Sequence, residues 1–170
     1  MFQIVHHGRV LMMATAIALS GGCANYGGGL VPGVAHYDDV IVAMGRPALQ
    51  WRDADGAMQL AYPRGPQGYA TYMVFLAPDG TLRRIENVLD EKHFAAVVPG
   101  RMDREAVLRL FGPPREKVGF DWRNEESWEW HFQDDWLEPS RFVVAFDRNT
   151  WTVTGTQQVR EFTSGTKRMR

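Results

Sequence analysis

The chain has 170 residues and a mass of 19.3 kDa, with 45% hydrophobic and 23% charged side chains, too apolar and too aromatic for a disordered, collagen-like or coiled-coil chain. Nineteen Lys and Arg against twenty Asp and Glu leave a net charge of -1, so no overall field draws the chain to nucleic acid and none is expected as a partner. A single cysteine, Cys23, excludes an internal disulfide and the zinc patterns built on paired cysteines.

The N-terminus sets the expected compartment. Residues 1–9 carry one cation, Arg9, and no acid, and an apolar run broken only by Thr15 follows over residues 10–19. That run is too short to cross a bilayer core, which takes about 20 residues, and has the shape of a secretory signal. The small residues of Leu19-Ser20-Gly21-Gly22 lead straight into Cys23. This junction resembles a bacterial lipobox, with Ser20 where that motif usually has Leu and Leu19 one place earlier. The resemblance implies removal of residues 1–22, a diacylglycerol on the Cys23 thiol and acylation of the new amino terminus. Each buried CH₂ of such chains is worth about 0.8 kcal/mol, so several chains anchor permanently. Ala24 stands where inner-membrane lipoproteins of this kind usually carry Asp. The implied address is therefore the outer membrane of a Gram-negative bacterium, facing the periplasm, with membrane lipid as one partner. Residues 23–30, with three consecutive glycines, read as a flexible tether.

Beyond the tether the sequence repeats itself. Val31-Pro32-Gly33, Val40, Gly45 and Pro47 recur as Val98-Pro99-Gly100, Val107, Gly112 and Pro114, all 67 residues on. Met58, Leu60 and Tyr62 match Trp128, Trp130 and Phe132 at offset 70, as Tyr72, Val74 and Leu76 match Phe142, Val144 and Phe146. One three-residue insertion after the Gly-x-Pro accounts for the change of offset.

Tyr37, Val40, Ile41 and Met44 form one apolar helical stripe, with His36 at the cap and Asp38 and Asp39 in the first turn, where the helix dipole favours anions. In the second copy Val107, Leu108 and Phe111 form the stripe and Asp103 the cap. Gly45 and Gly112 are expected to close the two helices with positive φ, in the left-handed conformation. After each helix the apolar period changes to two. Met58, Leu60 and Tyr62 alternate with Ala57, Gln59 and Ala61, and Trp128, Trp130 and Phe132 with Glu129, His131 and Gln133, which predicts strands with one buried face. Hairpins are predicted over residues 69–88, turning at Pro78-Asp79-Gly80, and over residues 141–156, turning at Arg148-Asn149. Between the copies, residues 90–97 read as a helix capped by Asp90, with Leu89 stapled on Phe94.

The fold class is thus α+β. The boundaries are a signal over 1–22, the tether over 23–30, the first repeat over 31–89, the second over 90–157 and a flexible basic tail over 158–170. In each repeat a short helix or helix pair packs on a three- to four-stranded antiparallel sheet.

The Val-Pro-Gly, cap, Val, Gly-x-Pro pattern, the Trp128-Glu129-Trp130 strand and the hairpin ending in Phe146-Asp147 together resemble the SmpA/OmlA domain of the BamE lipoprotein family. The resemblance covers roughly residues 31–156 in two copies, the second the better match. It implies an outer-membrane lipoprotein acting as accessory or scaffold in β-barrel assembly or envelope integrity. Tandem copies also resemble the fold of the β-lactamase inhibitor proteins, which implies the alternative of binding or inhibiting another periplasmic protein or an envelope ligand.

No enzyme signature stands beside this. His36, His93 and His131 lack metal-ligand spacing, there is no Gly-x-Ser-x-Gly, and Gly27 to Gly29 lack the Lys-Ser/Thr of a phosphate loop. Neither cofactor, metal nor catalytic residue is expected. The candidate protein-binding residues lie in two predicted loops of the second copy: Trp122, Glu125 and Glu126 over 121–127, and Asp134, Asp135 and Trp136 over 134–140. Each indole either covers a sheet end or stands out as an interface anchor with an acidic rim.

Overall fold

Residues 28–63 and 68–161 are described by a computed structural model. Cys23, the signal, most of the tether, loop residues 64–67 and tail residues 162–170 lie outside them. The chain runs α1 (Tyr37–Met44), β1 (Leu49–Arg52), β2 (Met58–Pro63), β3 (Thr71–Leu76), β4 (Leu82–Asn87), α2 (Glu91–Phe94), α3 (Arg104–Phe111), β5 (Glu116–Phe120), a 3-10 turn (Asp121–Arg123), β6 (Glu125–Gln133), β7 (Pro139–Asp147) and β8 (Val153–Arg160). It is an α+β protein with two four-stranded antiparallel sheets, ordered β1-β2-β3-β4 and β5-β6-β7-β8.

Short-range chemistry sets the helix ends. The Asp103 carboxylate accepts the Ala106 N–H at 2.8 Å, and the Asp39 carboxylate accepts the His36 N–H at 2.8 Å. At the far ends the Gly45 N–H donates to Ile41 O and the Gly112 N–H to Leu108 O, at 2.9 and 2.7 Å. Both glycines have positive φ, +81° and +70°, but ψ is −164° and −166°, extended rather than left-handed. That region is essentially closed to any residue with a Cβ. α2 is shorter than the predicted 90–97: after Phe94 the chain tightens into three-residue turns, Ala96 N–H to His93 O and Val97 N–H to Phe94 O. Asp90 caps it as expected, and Leu89 and Phe94 share one core.

Each sheet buries one face under its own helix. Val40, Met44, Leu60, Tyr62, Val74, Leu76 and Leu82 fill the first core; Phe94, Val107, Phe111, Trp128, Trp130, Phe132, Phe142, Val144, Phe146 and Val153 fill the second. The second is an aromatic stack, with Phe94 parallel to Phe142 at 4.1 Å between centroids. Equivalent bonds expose the correspondence between the halves. Gly33 N–H donates to Leu82 O as Gly100 N–H does to Val153 O, and the Tyr62 hydroxyl donates to Gly45 O as the Trp130 indole does to Gly112 O.

These bonds correct the alignment of β2. Tyr62 corresponds to Trp130, 68 residues on, and Leu60 opposite Val74 corresponds to Trp128 opposite Val144. The offset therefore grows in steps, from 67 at the helix to 68 at β2, 70 at β3 and 71 at β4, as each turn lengthens, instead of in one insertion. Two-residue slips keep the same faces inward, so the apolar pattern alone could not tell 68 from 70.

The first sheet also departs from the expectation of one buried face, because Gln59 and Ala61 are buried as well. α3 of the second half meets that reverse face, where Gly112 at its end approaches Thr71, Ala61 and Met73, and Ala61 and Met73 form a small buried cluster with Val88, flanked by Leu49, Trp51 and Phe75. Gln59 Nε2 donates to Arg109 O at 2.5 Å, Trp51 Nε1 to Glu105 Oε1 at 2.5 Å, and Arg109 Nη1 to Asp53 Oδ1 at 2.7 Å.

Strand ends differ from the prediction where Asp side chains make turns. Asp147 Oδ1 accepts the N–H groups of Asn149 and Thr150, so β8 starts at Val153 rather than at residue 150. It continues through Arg160, because Ser140 of the long β7 supplies a partner, and residues 158–160 are strand instead of tail.

The two helix-closing glycines separate backbone from packing. A Cβ on Gly45 meets open space, whereas one on Gly112 would lie 3.1 Å from Thr71 Cγ2 and 3.2 Å from Ala61 Cβ. Gly45→Ala is expected to cost about 1–3 kcal/mol of backbone strain. Gly112→Ala should lose about 1–3 kcal/mol more from overpacking at the junction of the halves. Urea unfolding of both variants measures the difference; equal losses would contradict the packing of α3 on the first sheet.

Candidate functional site

The β6–β7 hairpin turns through residues 134–138 on a carboxylate scaffold. Asp134 Oδ1 accepts the N–H groups of Trp136 and Glu138, at 2.9 and 3.0 Å, and its other oxygen is gripped by Arg160 Nε and Nη2 at 2.8 and 2.6 Å. Asp134 N–H donates to Glu138 O, and Leu137 N–H to Asp134 O. Burial works against the Asp134 charge, but the two N–H groups and Arg160 outweigh it and hold the carboxyl below its usual range. The turn presents Trp136 and Leu137 to solvent at 78% and 73% exposure, between exposed Asp135 and Glu138. Leu137 sits at φ +61°, an uncommon conformation for a branched residue.

The other indole stands on the 3-10 turn before β6. Asn124 at φ +50° ends this turn, and Arg148 braces it with a backbone N–H to Asn124 O at 2.9 Å and an ion pair to Asp121. Trp122 is 79% exposed, its ring touched by the Arg123 guanidinium at 5.1 Å.

Of the two readings for the indoles, exposure is the one observed. Their acidic neighbours divide. Glu125 and Glu126 belong to β6 rather than to a loop; Glu125 pairs with Arg123 at 2.5 Å, and Glu126 accepts the buried Trp128 indole N–H at 2.6 Å. Both are half-buried and engaged within the fold, Asp134 is the brace of its turn, and Asp135 alone of the four stands free in solvent. Nor do the candidates meet: the two turns cap opposite ends of the nine-residue β6, about 26 Å apart at 3.3 Å per residue. Sequence reasoning missed Leu137, whose signal was a second large apolar residue beside Trp136, and missed Arg148 and Arg160, which lie 27 and 26 residues from the carboxylates they hold.

The remaining titratable groups are placed apart. Among the described residues no group of three or more His, Asp or Glu is set to hold a metal ion. His36 caps α1 and His93 is held by Asp90 at 2.6 Å. On the open face of the second sheet Arg141 bridges Glu129 at 2.8 Å and Glu161 at 3.2 Å, with His131 beside Glu161 at 3.9 Å. His131 also borders a cleft of about 410 Å³ between the halves, lined by Leu89, Pro113, Pro114, Arg115 and Trp130.

No family model and no curated protein matches the sequence. Among solved structures the chain is similar to YjgB, a DUF4309 family protein from Bacillus subtilis subsp. subtilis str. 168, at 15% identity over 79% of this chain and 84% of that one, with a TM-score of 0.30. It is also similar to an extracellular protein containing an SCP domain from Bacillus anthracis str. Ames, at 11% identity over 92% of this chain and 50% of that one, with a TM-score of 0.29. Neither is a BamE lipoprotein.

Burial, Arg115 and Arg141 push the His131 imidazole below its ordinary value, against the pull of Glu161 and Glu129. The unfolded chain therefore takes up a proton near pH 6.5 that the folded chain resists, so stability should fall as pH drops below about 6.5 and level off below the folded value. His131→Gln should flatten that part of the profile. Urea midpoints across this range decide it, and an unchanged slope in the variant would overturn the assignment.

Proposed function

We propose that this chain is a non-catalytic lipoprotein, anchored in the outer membrane through acyl chains on Cys23 and facing the periplasm, that serves as a BamE-like scaffold in β-barrel assembly or envelope integrity. The observation that carries the protein-binding part of this reading is the pair of exposed, braced indoles, Trp122 and Trp136. A tryptophan almost four-fifths exposed on an ordered turn contributes little to the core, while its rigid ring and low ordering cost suit it to fill a partner's pocket. The lipobox-like junction at Cys23 and the repeated sequence pattern support the anchor and the family reading. A helix on an antiparallel sheet, found twice, is compatible with that family.

The distance between the indoles favours a scaffold over an inhibitor that plugs one site. Anchors at both ends of β6 suit two partners, or one broad partner, better than a single pocket. Barrel-assembly subunits or another envelope protein are the expected partners.

Trp122→Ala and Trp136→Ala should each weaken co-purification of the envelope partner by roughly 2 kcal/mol where the indole is an anchor. Being far apart, the two losses should add, with thermal stability little changed. Retained binding in the folded double variant would remove the indoles from the interface. The anchor is tested separately. Cys23→Ser should leave an uncleaved or soluble product in cell fractionation, and a variant that still reaches the outer membrane with normal processing would refute lipidation at Cys23.

A further inference from the structure

The four sheet edges are not alike. β1 is four residues long, β4 carries Arg83, Arg84 and Glu86, and β5 is five residues long and opens with Glu116 and Lys117. Short length and charge are the usual devices that keep a free edge from pairing with another chain. β8 has neither. It runs eight residues, Val153–Arg160, and pairs on one side only, with β7. The Gly100 N–H and the Met102 carbonyl cover its outer edge at Val153, at 2.8 and 2.9 Å. From Thr154 onward no strand of the described residues lies on that edge. Thr154, Gly155, Thr156, Gln157, Gln158 and Val159 are all uncharged and contain no proline, and Thr154, Thr156, Gln157 and Gln158 are exposed. The one charge, Arg160, is drawn back to Asp134.

We infer that this edge pairs with the β8 edge of a second copy of the chain, antiparallel about a two-fold axis, joining two four-stranded sheets into one of eight strands. The strand is complementary to itself. With Gln157 opposite its own copy, Thr156 faces Gln158, Gly155 faces Val159 and Thr154 faces Arg160, so no like charges meet and polar side chains stand opposite one another at every pairing except Gly155 with Val159. A partner bringing a charged strand would find no opposite charge between Thr154 and Val159, which favours the self-pairing over a foreign peptide. On the open face beside β8, Ser127, Val143, Ala145 and Gly155 line a shallow groove of about 350 Å³ that reaches Gln157. The dimer would continue that groove across the axis. The inference does not depend on the anchor or on the indoles.

Sedimentation of the detergent-solubilised full-length chain across a wide concentration range tests it. The wild type should show a reversible monomer–dimer equilibrium. Gln157→Lys and Gln157→Glu, each placing like charges opposite across the axis, should raise the dimer dissociation constant several-fold with unchanged circular dichroism and melting. Mixing the two variants should restore dimers to at least wild-type strength, a result that misfolding cannot produce. A wild type that stays monomeric at every concentration overturns the inference. So does a dimer that neither substitution weakens, since that dimer would use another face.

Discussion

A Cβ placed on Gly112 would stand 3.1 Å from Thr71 and 3.2 Å from Ala61, both on the first sheet, and that close approach is the constraint from which much of the structure follows. The same residue closes α3 with its N–H, adopts a backbone conformation closed to other residues and offers its carbonyl to the Trp130 indole. One position thereby ends the helix, holds one of the two indoles of the second core and lets the helix end lie close against the neighbouring sheet. Gly45 performs the first two duties in its own half, with Tyr62 in the place of Trp130, but has open space where Gly112 has a neighbour. The halves share a mode of construction, and only one helix is asked to serve as an interface.

That asymmetry explains the surfaces left over. The first sheet is covered on both faces, by α1 and by α3, and its reverse face is locked by Trp51, Asp53 and Gln59. Among the described residues the second sheet has no helix on its other face, where the Arg141, Glu129 and Glu161 network lies, and it has the longer strands and both exposed indoles. The two exposed indoles and the uncovered sheet face therefore lie on the second half, while the exposed apolar residues of the first half, Val31, Val34 and Val42, stand on α1 and the segment before it.

What the sequence made legible were the features that local chemistry determines. Asp103 and Asp90 sit where caps are needed, Asp39 lies in a first turn, Gly45 and Gly112 end helices, and the period-two runs of Leu60, Trp128 and Trp130 are core strands. What it hid depends on contacts distant in the chain. Burial of Gln59 and Ala61 needs a helix 50 residues away, and the offset of β2 is ambiguous because a slip of two leaves every side chain on its own face. At the candidate site, the polar company of Trp122 and Trp136 marked the two indoles but left open whether they cover the sheet ends, which the bracing of their turns by Arg148 and Arg160 settles. Glu125 and Glu126 were taken up by Arg123 and Trp128 once β6 extended to include them.

At the hairpin tip the edge strand β8 and an exposed indole share one brace. A five-residue turn over 134–138 needs only the Asp134 carboxylate and its own backbone bonds to close, and small polar residues would satisfy it. Instead it holds Leu137 at φ +61°, where a glycine would relieve about 1 kcal/mol, and leaves Trp136 in water. Arg160 reaches from β8 to fix the carboxylate, so the edge strand and the exposed indole are stiffened by the same ion pair. The tip thus joins a locally unfavourable backbone to a braced carboxylate, and what the ion pair supplies is order: a side chain held on such a turn has little conformational entropy left to lose in any contact.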